Sequence, residues 1–82
     1  MTDQDTLSPR AVELLEEATN APANTLRGDR VLRELEGWDS MGMVMFIGLV
    51  QRQLGIELSV YDLHESRTVA DLAARVRAKG VA

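Results

Sequence analysis

Trp38-Asp39-Ser40-Met41-Gly42-Met43-Val44-Met45-Phe46-Ile47-Gly48-Leu49-Val50-Gln51-Arg52-Gln53-Leu54-Gly55 is the stretch on which the reading of this chain turns. From Met41 to Val50 every residue is apolar or glycine, so strand and helix compete for it. Length decides for helix, because buried strands rarely exceed about eight residues. Asp39 and Ser40 each have a side-chain oxygen able to accept a first-turn amide. Trp38 before the start and Met43 after it suit a hydrophobic staple. Gly55 ends the element. The stretch therefore predicts a helix from Asp39-Ser40 to about Leu54.

Working toward the N-terminus, residues 21–38 read as a long connection. Pro22, Asn24, Gly28 and Asp29 argue against one continuous helix, while Leu26, Val31, Leu32 and Leu35 can anchor the segment in a core. A connection this long in a small domain should be functional or hold structure of its own, so a short turn of helix is expected near Val31 to Leu35. Earlier still, Ser8-Pro9 is a helix-start signal. Ala11, Val12, Leu14, Leu15 and Ala18 follow at helical spacing, with Glu13, Glu16 and Glu17 on the wet side. Asn20 and Pro22 stop this first helix, and residues 1–7 are expected to be a frayed polar start.

Toward the C-terminus, Ser59 caps a short helical turn over Val60 to His64. Thr68 then starts a last helix, with Asp71 three residues on at capping-box spacing. Val69, Leu72, Ala73 and Val76 form its apolar stripe. Arg75, Arg77 and Lys79 fall near its C-terminal end, where the helix dipole favours cations. The predicted fold is all-α: a small four-helix bundle with three main helices, one short helix and a long first loop. It forms a single domain over residues 1–82, with a core of about 8–79.

Composition narrows the function. Eighty-two residues leave little room for a deep pocket lined by several catalytic groups, so a binding or carrier module is expected over a self-contained enzyme. The chain has no cysteine and one histidine, His64, which excludes disulfides, thiolate metal sites and histidine-rich metal sites. The net charge is −4, and the basic residues, eight arginines and one lysine, are scattered and outnumbered by acids. Nucleic acid is therefore not an expected partner. The start of the chain lacks an apolar run, and Met41 to Val50 is too short to span a bilayer. A monomeric cytoplasmic protein without a membrane segment is expected. Met1 and the lack of flanking linkers suggest a free-standing chain.

Asp39-Ser40-Met41 resembles the motif that opens the second helix of acyl and peptidyl carrier proteins, with methionine in place of the usual leucine. Leu54-Gly55-Ile56-Glu57-Leu58, Leu63 and Thr68-Val69-Ala70-Asp71-Leu72-Ala73 are similar to the C-terminal half of peptidyl and modular polyketide carriers. The resemblance runs from about Leu32 to Val76. It implies that Ser40 takes a 4′-phosphopantetheine arm from coenzyme A, with Asp39 as motif residue and cap. It also implies a phosphopantetheinyl transferase as partner, a loading ligase or acyltransferase, and condensing, modifying or transfer enzymes. The implied setting is polyketide or nonribosomal peptide biosynthesis. An anionic phosphodiester at a helix start lies beside free amides and the positive end of the dipole, which suits it. Asp39-Ser40-Met41-Gly42 also resembles D-alanyl carriers of cell-wall modification.

Met43, Phe46, Ile47, Val50 and Leu54 recur at the spacing of a buried stripe. The opposite side then holds Met41, Val44, Met45, Gly48, Leu49 and Arg52, and is expected to bind partners. From Met41 to Leu54 there is no acid and one base, Arg52, unlike the acidic second helix of fatty-acid carriers. Docking by packing rather than charge is expected. Other polar groups have plainer readings: His64 as a surface or helix-end residue, Trp38 and Tyr61 as edge packing, and Ser59, Ser66 and Thr68 as caps or turns. The rival class is a helical interaction module with no prosthetic group.

Overall fold

In the computed structural model, which describes residues 3–81, the chain forms α1 (Asp3–Thr19), a single 3-10 turn (Leu32–Glu34), α2 (Ser40–Leu54), α3 (Val60–Glu65) and α4 (Val69–Val81). Helix α1 packs against both α2 and α4, and the short α3 leans on α2 and α4. The only sheet-like pairing among the described residues is one antiparallel bridge, Val31 with Thr68. The architecture is the all-α bundle the sequence predicts.

The core lies where the three long helices meet. Phe46, Leu15, Leu32, Leu63, Leu72, Val50, Val69 and Val76 are its largest fully buried side chains. Burial is worth about 1.5–3 kcal/mol for each large member. Trp38 closes one end by meeting Phe46 edge-to-face, with ring centroids 5.9 Å apart.

The predicted stops and caps hold at most ends. Asn20 adopts the left-handed conformation (φ 62°) after α1. The Asn20 amide donates to the Glu17 carbonyl and the Ala21 amide to the Glu16 carbonyl, a Schellman ending. Asp39 caps α2, and Gly55 closes it at φ 69°. Ser59 and Asp62 form a reciprocal capping box on α3. At the entry to α4, the Asp71 amide donates to Thr68 Oγ1 while Asp71 Oδ2 accepts from the Thr68 amide. The long connection is tied to that entry: the Leu32 amide donates to Arg67 and the Val69 amide to Arg30.

Three expectations are corrected. Helix α1 begins at Asp3, so Ser8 is not its cap and Pro9 lies inside the helix. Glu16 is not on a wet face but is buried at 4% exposure. Its Oε2 accepts the amides of Thr25 and Leu26, which the loop would otherwise leave unpaired beside the core. Tyr61 does not pack at an edge; it is exposed on α3.

Candidate functional site

The N-terminus of α2 is set by two glycines and one carboxylate. Gly37 precedes the helix at φ +87°, and a Cβ there would stand 2.6 Å from the Thr19 carbonyl oxygen. Gly42 lies in the first turn, where a Cβ would overlap the carbonyl oxygen of Gly37. Backbone thus packs on backbone at both positions, and only glycine permits it. Asp39 completes the turn by accepting the Gly42 amide on Oδ1 at 2.9 Å. Together they present Ser40 as the exposed first residue of the helix. No acid occupies the first turn of α2.

Ser40 differs from the other hydroxyls of its kind. Thr19 donates to Leu15, Thr25 to Pro22, Ser59 to Asp62 and Ser66 to the Asp62 carbonyl, while Thr68 accepts from Asp71. Among the described side chains, Ser40 has the one serine or threonine hydroxyl without a hydrogen bond inside the protein. Ser59, Ser66 and Thr68 are the cap and turn residues expected of them.

From Ser40 an open groove of about 590 Å³ runs along α2 past Met41, Val44, Met45, Gly48, Gln51 and Arg52. Met41 is 79% exposed, Val44 65% and Met45 50%. Five of the six residues expected on the open face therefore line this groove. Leu49 does not: it is buried at 6% exposure within the core. The buried side of α2 is turned toward Gly42 and Leu49, leaving Met43, Ile47 and Leu54 only partly buried at its margin. Gln51 takes the place on the groove that Leu49 was expected to hold.

The sequence reading also overlooked Asp62. This carboxylate is buried, receives the Ser59 amide and hydroxyl on Oδ2, and pairs with Arg75 at 3.3 Å and Lys79 at 3.1 Å. Burial pushes its carboxyl up, but the Ser59 amide, the Lys79 hydrogen bond and the Lys79 charge outweigh that and hold it below the ordinary aspartate value. The signal was available: Ser59-Val60-Tyr61-Asp62 repeats the spacing of Thr68-Val69-Ala70-Asp71. His64 is exposed in the last turn of α3, without a nucleophile as partner. The described residues contain no cluster of metal-ligating side chains, and no helix among them is long and apolar enough to cross a membrane.

The family model described as phosphopantetheine attachment site matches residues 10–76. The chain finds no match among curated proteins or solved structures. A match over most of the chain, on a helical bundle that presents a free serine hydroxyl at a capped helix start, makes the chain a member of the phosphopantetheine attachment-site family, a carrier protein of the acyl and peptidyl type whose cofactor is 4′-phosphopantetheine.

Proposed function

We propose that Ser40 Oγ is the point of attachment, and that the chain holds acyl or aminoacyl groups for partner enzymes in polyketide or nonribosomal peptide assembly. The observation that carries this reading is the unengaged Ser40 hydroxyl at the exposed start of α2. The residues suit the group. A phosphodiester on Ser40 has the first-turn amides and the helix dipole beside it, and no first-turn acid opposes it. When bound, the arm supplies a thiol that carries cargo as a thioester, so a chain without cysteine needs none of its own.

The roles of this chain's residues follow from position. Asp39 fixes the turn and orients Ser40; it is a positioning residue and not a base. Gly37 and Gly42 hold the turn against the end of α1. The groove past Met41, Val44, Met45, Gly48, Gln51 and Arg52 receives partner enzymes: a phosphopantetheinyl transferase, a loading ligase or acyltransferase, then condensing, modifying or transfer enzymes. With no acid on α2, docking rests on apolar contact and adaptable methionines, not on charge steering. The assembly-line setting is supported by that departure from acidic carriers and by the Leu54–Leu58 and Thr68–Ala73 segments. In this reading the chain itself catalyses nothing.

The test is loading. Holo-protein offered to amino-acid-activating and acyl-transferring enzymes should accept cargo, and Ser40→Ala should accept none. Loading that persists in Ser40→Ala removes the site assignment. Loading by a D-alanine-activating ligase alone moves the chain to cell-wall modification.

A further inference from the structure

Gly48 stands in the middle of α2, where glycine is among the least favourable residues for a helix. The other glycines near the site serve the fold. Gly37 and Gly55 take positive φ, and a Cβ on Gly42 would strike the Gly37 carbonyl. Gly48 has neither reason. Its backbone is ordinary helix, and a Cβ built on it meets nothing within 4 Å outside the backbone of its own helix. Alanine would fit there without displacing an atom. A residue that weakens a helix with no return inside the fold points to a use outside it.

Position suggests that use. Val44 and Met45 lie four and three residues before Gly48, and Gln51 and Arg52 three and four after it, so the four side chains surround it on one helix face. All four are exposed, and all line the open groove with Gly48. The missing side chain leaves a notch in the groove floor. Four helix residues in this arrangement form the kind of hole that receives a knob from a facing element, and glycine lets that element come close to the backbone. Valine and methionine beside the notch, with no acid from Met41 to Leu54, suit an apolar knob.

The groove begins at Ser40, about 12 Å along the helix axis from Gly48. An enzyme that attaches the arm must bring its active site to the Ser40 hydroxyl itself, whereas enzymes that act on cargo meet it at the far end of the arm. The attaching enzyme is therefore the partner held closest to α2. We propose that Gly48 is the floor of a docking notch for the phosphopantetheinyl transferase, which seats one of its large apolar side chains there. This rests on the carrier reading and deepens it by assigning a partner to one residue of the groove.

The test compares the parent chain with Gly48→Ala, Gly48→Leu and Ala74→Leu, the last a like addition of bulk on the exposed side of α4. Each is melted thermally and then modified by a broad-specificity phosphopantetheinyl transferase at saturating coenzyme A. Gly48→Ala should melt about 4–8 °C above the parent, because the helix gains and the fold loses nothing. The KM for the carrier should nevertheless rise in both Gly48 variants, by roughly tenfold or more for leucine, with kcat near the parental value. Ala74→Leu should leave KM unchanged. A Gly48→Ala melt at or below the parental temperature would show that the fold itself needs the glycine and would overturn the proposal. A KM for Gly48→Leu within about twofold of the parent, or an equal rise in Ala74→Leu, overturns it too and leaves the carrier reading intact. Failure of the parent chain to accept any arm removes the carrier reading and this inference together.

Discussion

Asp39 and Asp62 both secure helix starts in this chain, and they are treated in opposite ways. Asp39 caps α2 from an exposed position, bonds one amide and takes part in no ion pair among the described residues. Asp62 completes the capping box that Ser59 opens on α3, from a buried position where both carboxylate oxygens are engaged by Ser59, Arg75 and Lys79. The difference separates presentation from fastening. At Asp39 the chain holds a hydroxyl out to solvent. At Asp62 it clamps a six-residue helix that is too short to be stable alone.

The largest expected effect breaks the presenting end without substituting either aspartate. Gly42→Ala forces a Cβ into the Gly37 carbonyl, which is backbone and cannot swing aside. We expect a loss of about 3 kcal/mol in urea unfolding, at the upper end of overpacking costs. A loss under about 0.5 kcal/mol, the ordinary surface range, would show that the two glycines do not set the turn.

Asp62→Ala comes next, at about 2 kcal/mol, from a lost cap and lost charge-assisted bonds to partners that are themselves partly exposed. The comparison is sharpened by acid. Because the fold holds the Asp62 carboxyl below its ordinary value, its contribution is fully present above the unfolded pKa, about 4, and is lost as pH falls through the lower folded value. Thermal melts of the parent protein should therefore lose stability on acidification below about pH 4, with Asp62→Asn flatter over the same range. Equal acid sensitivity in both would place the titrating group elsewhere.

Asp39→Ala removes a single exposed cap, so about 1 kcal/mol is expected, with modification of Ser40 slowed but not abolished. Val44→Asp should be smallest in stability, within about 0.5 kcal/mol, since Val44 is an exposed groove residue. Binding to a partner enzyme, followed by calorimetry, should nevertheless weaken clearly. Unchanged affinity would remove the groove from docking.

Local signals made most of the fold legible in the sequence. Helix ends at Asn20, Gly55, Ser59 and Thr68 are written in residues that act within four positions of themselves, so the sequence exposes them directly. The place of Ser40 at the start of α2 was legible for the same reason, through its cap and the length of the apolar run. What depends on distant partners was not. Glu16 looks like any solvated acid until the amides of Thr25 and Leu26 fold over it. Leu49 was placed on the wrong side because α2 is apolar nearly all round, and such a run does not fix its own rotation. That rotation is set by Gly42 meeting Gly37, a contact between backbones that no periodicity reveals. The start of α1 was missed because a serine-proline pair is a sound start signal that the helix simply runs through.

The most direct test of the central claim is the intact mass of the protein after incubation with coenzyme A and a broad-specificity phosphopantetheinyl transferase, beside Ser40→Ala shown by circular dichroism to be folded. The account predicts one phosphopantetheine addition to the parent chain and none to the variant. Addition to both, or to neither, would contradict it.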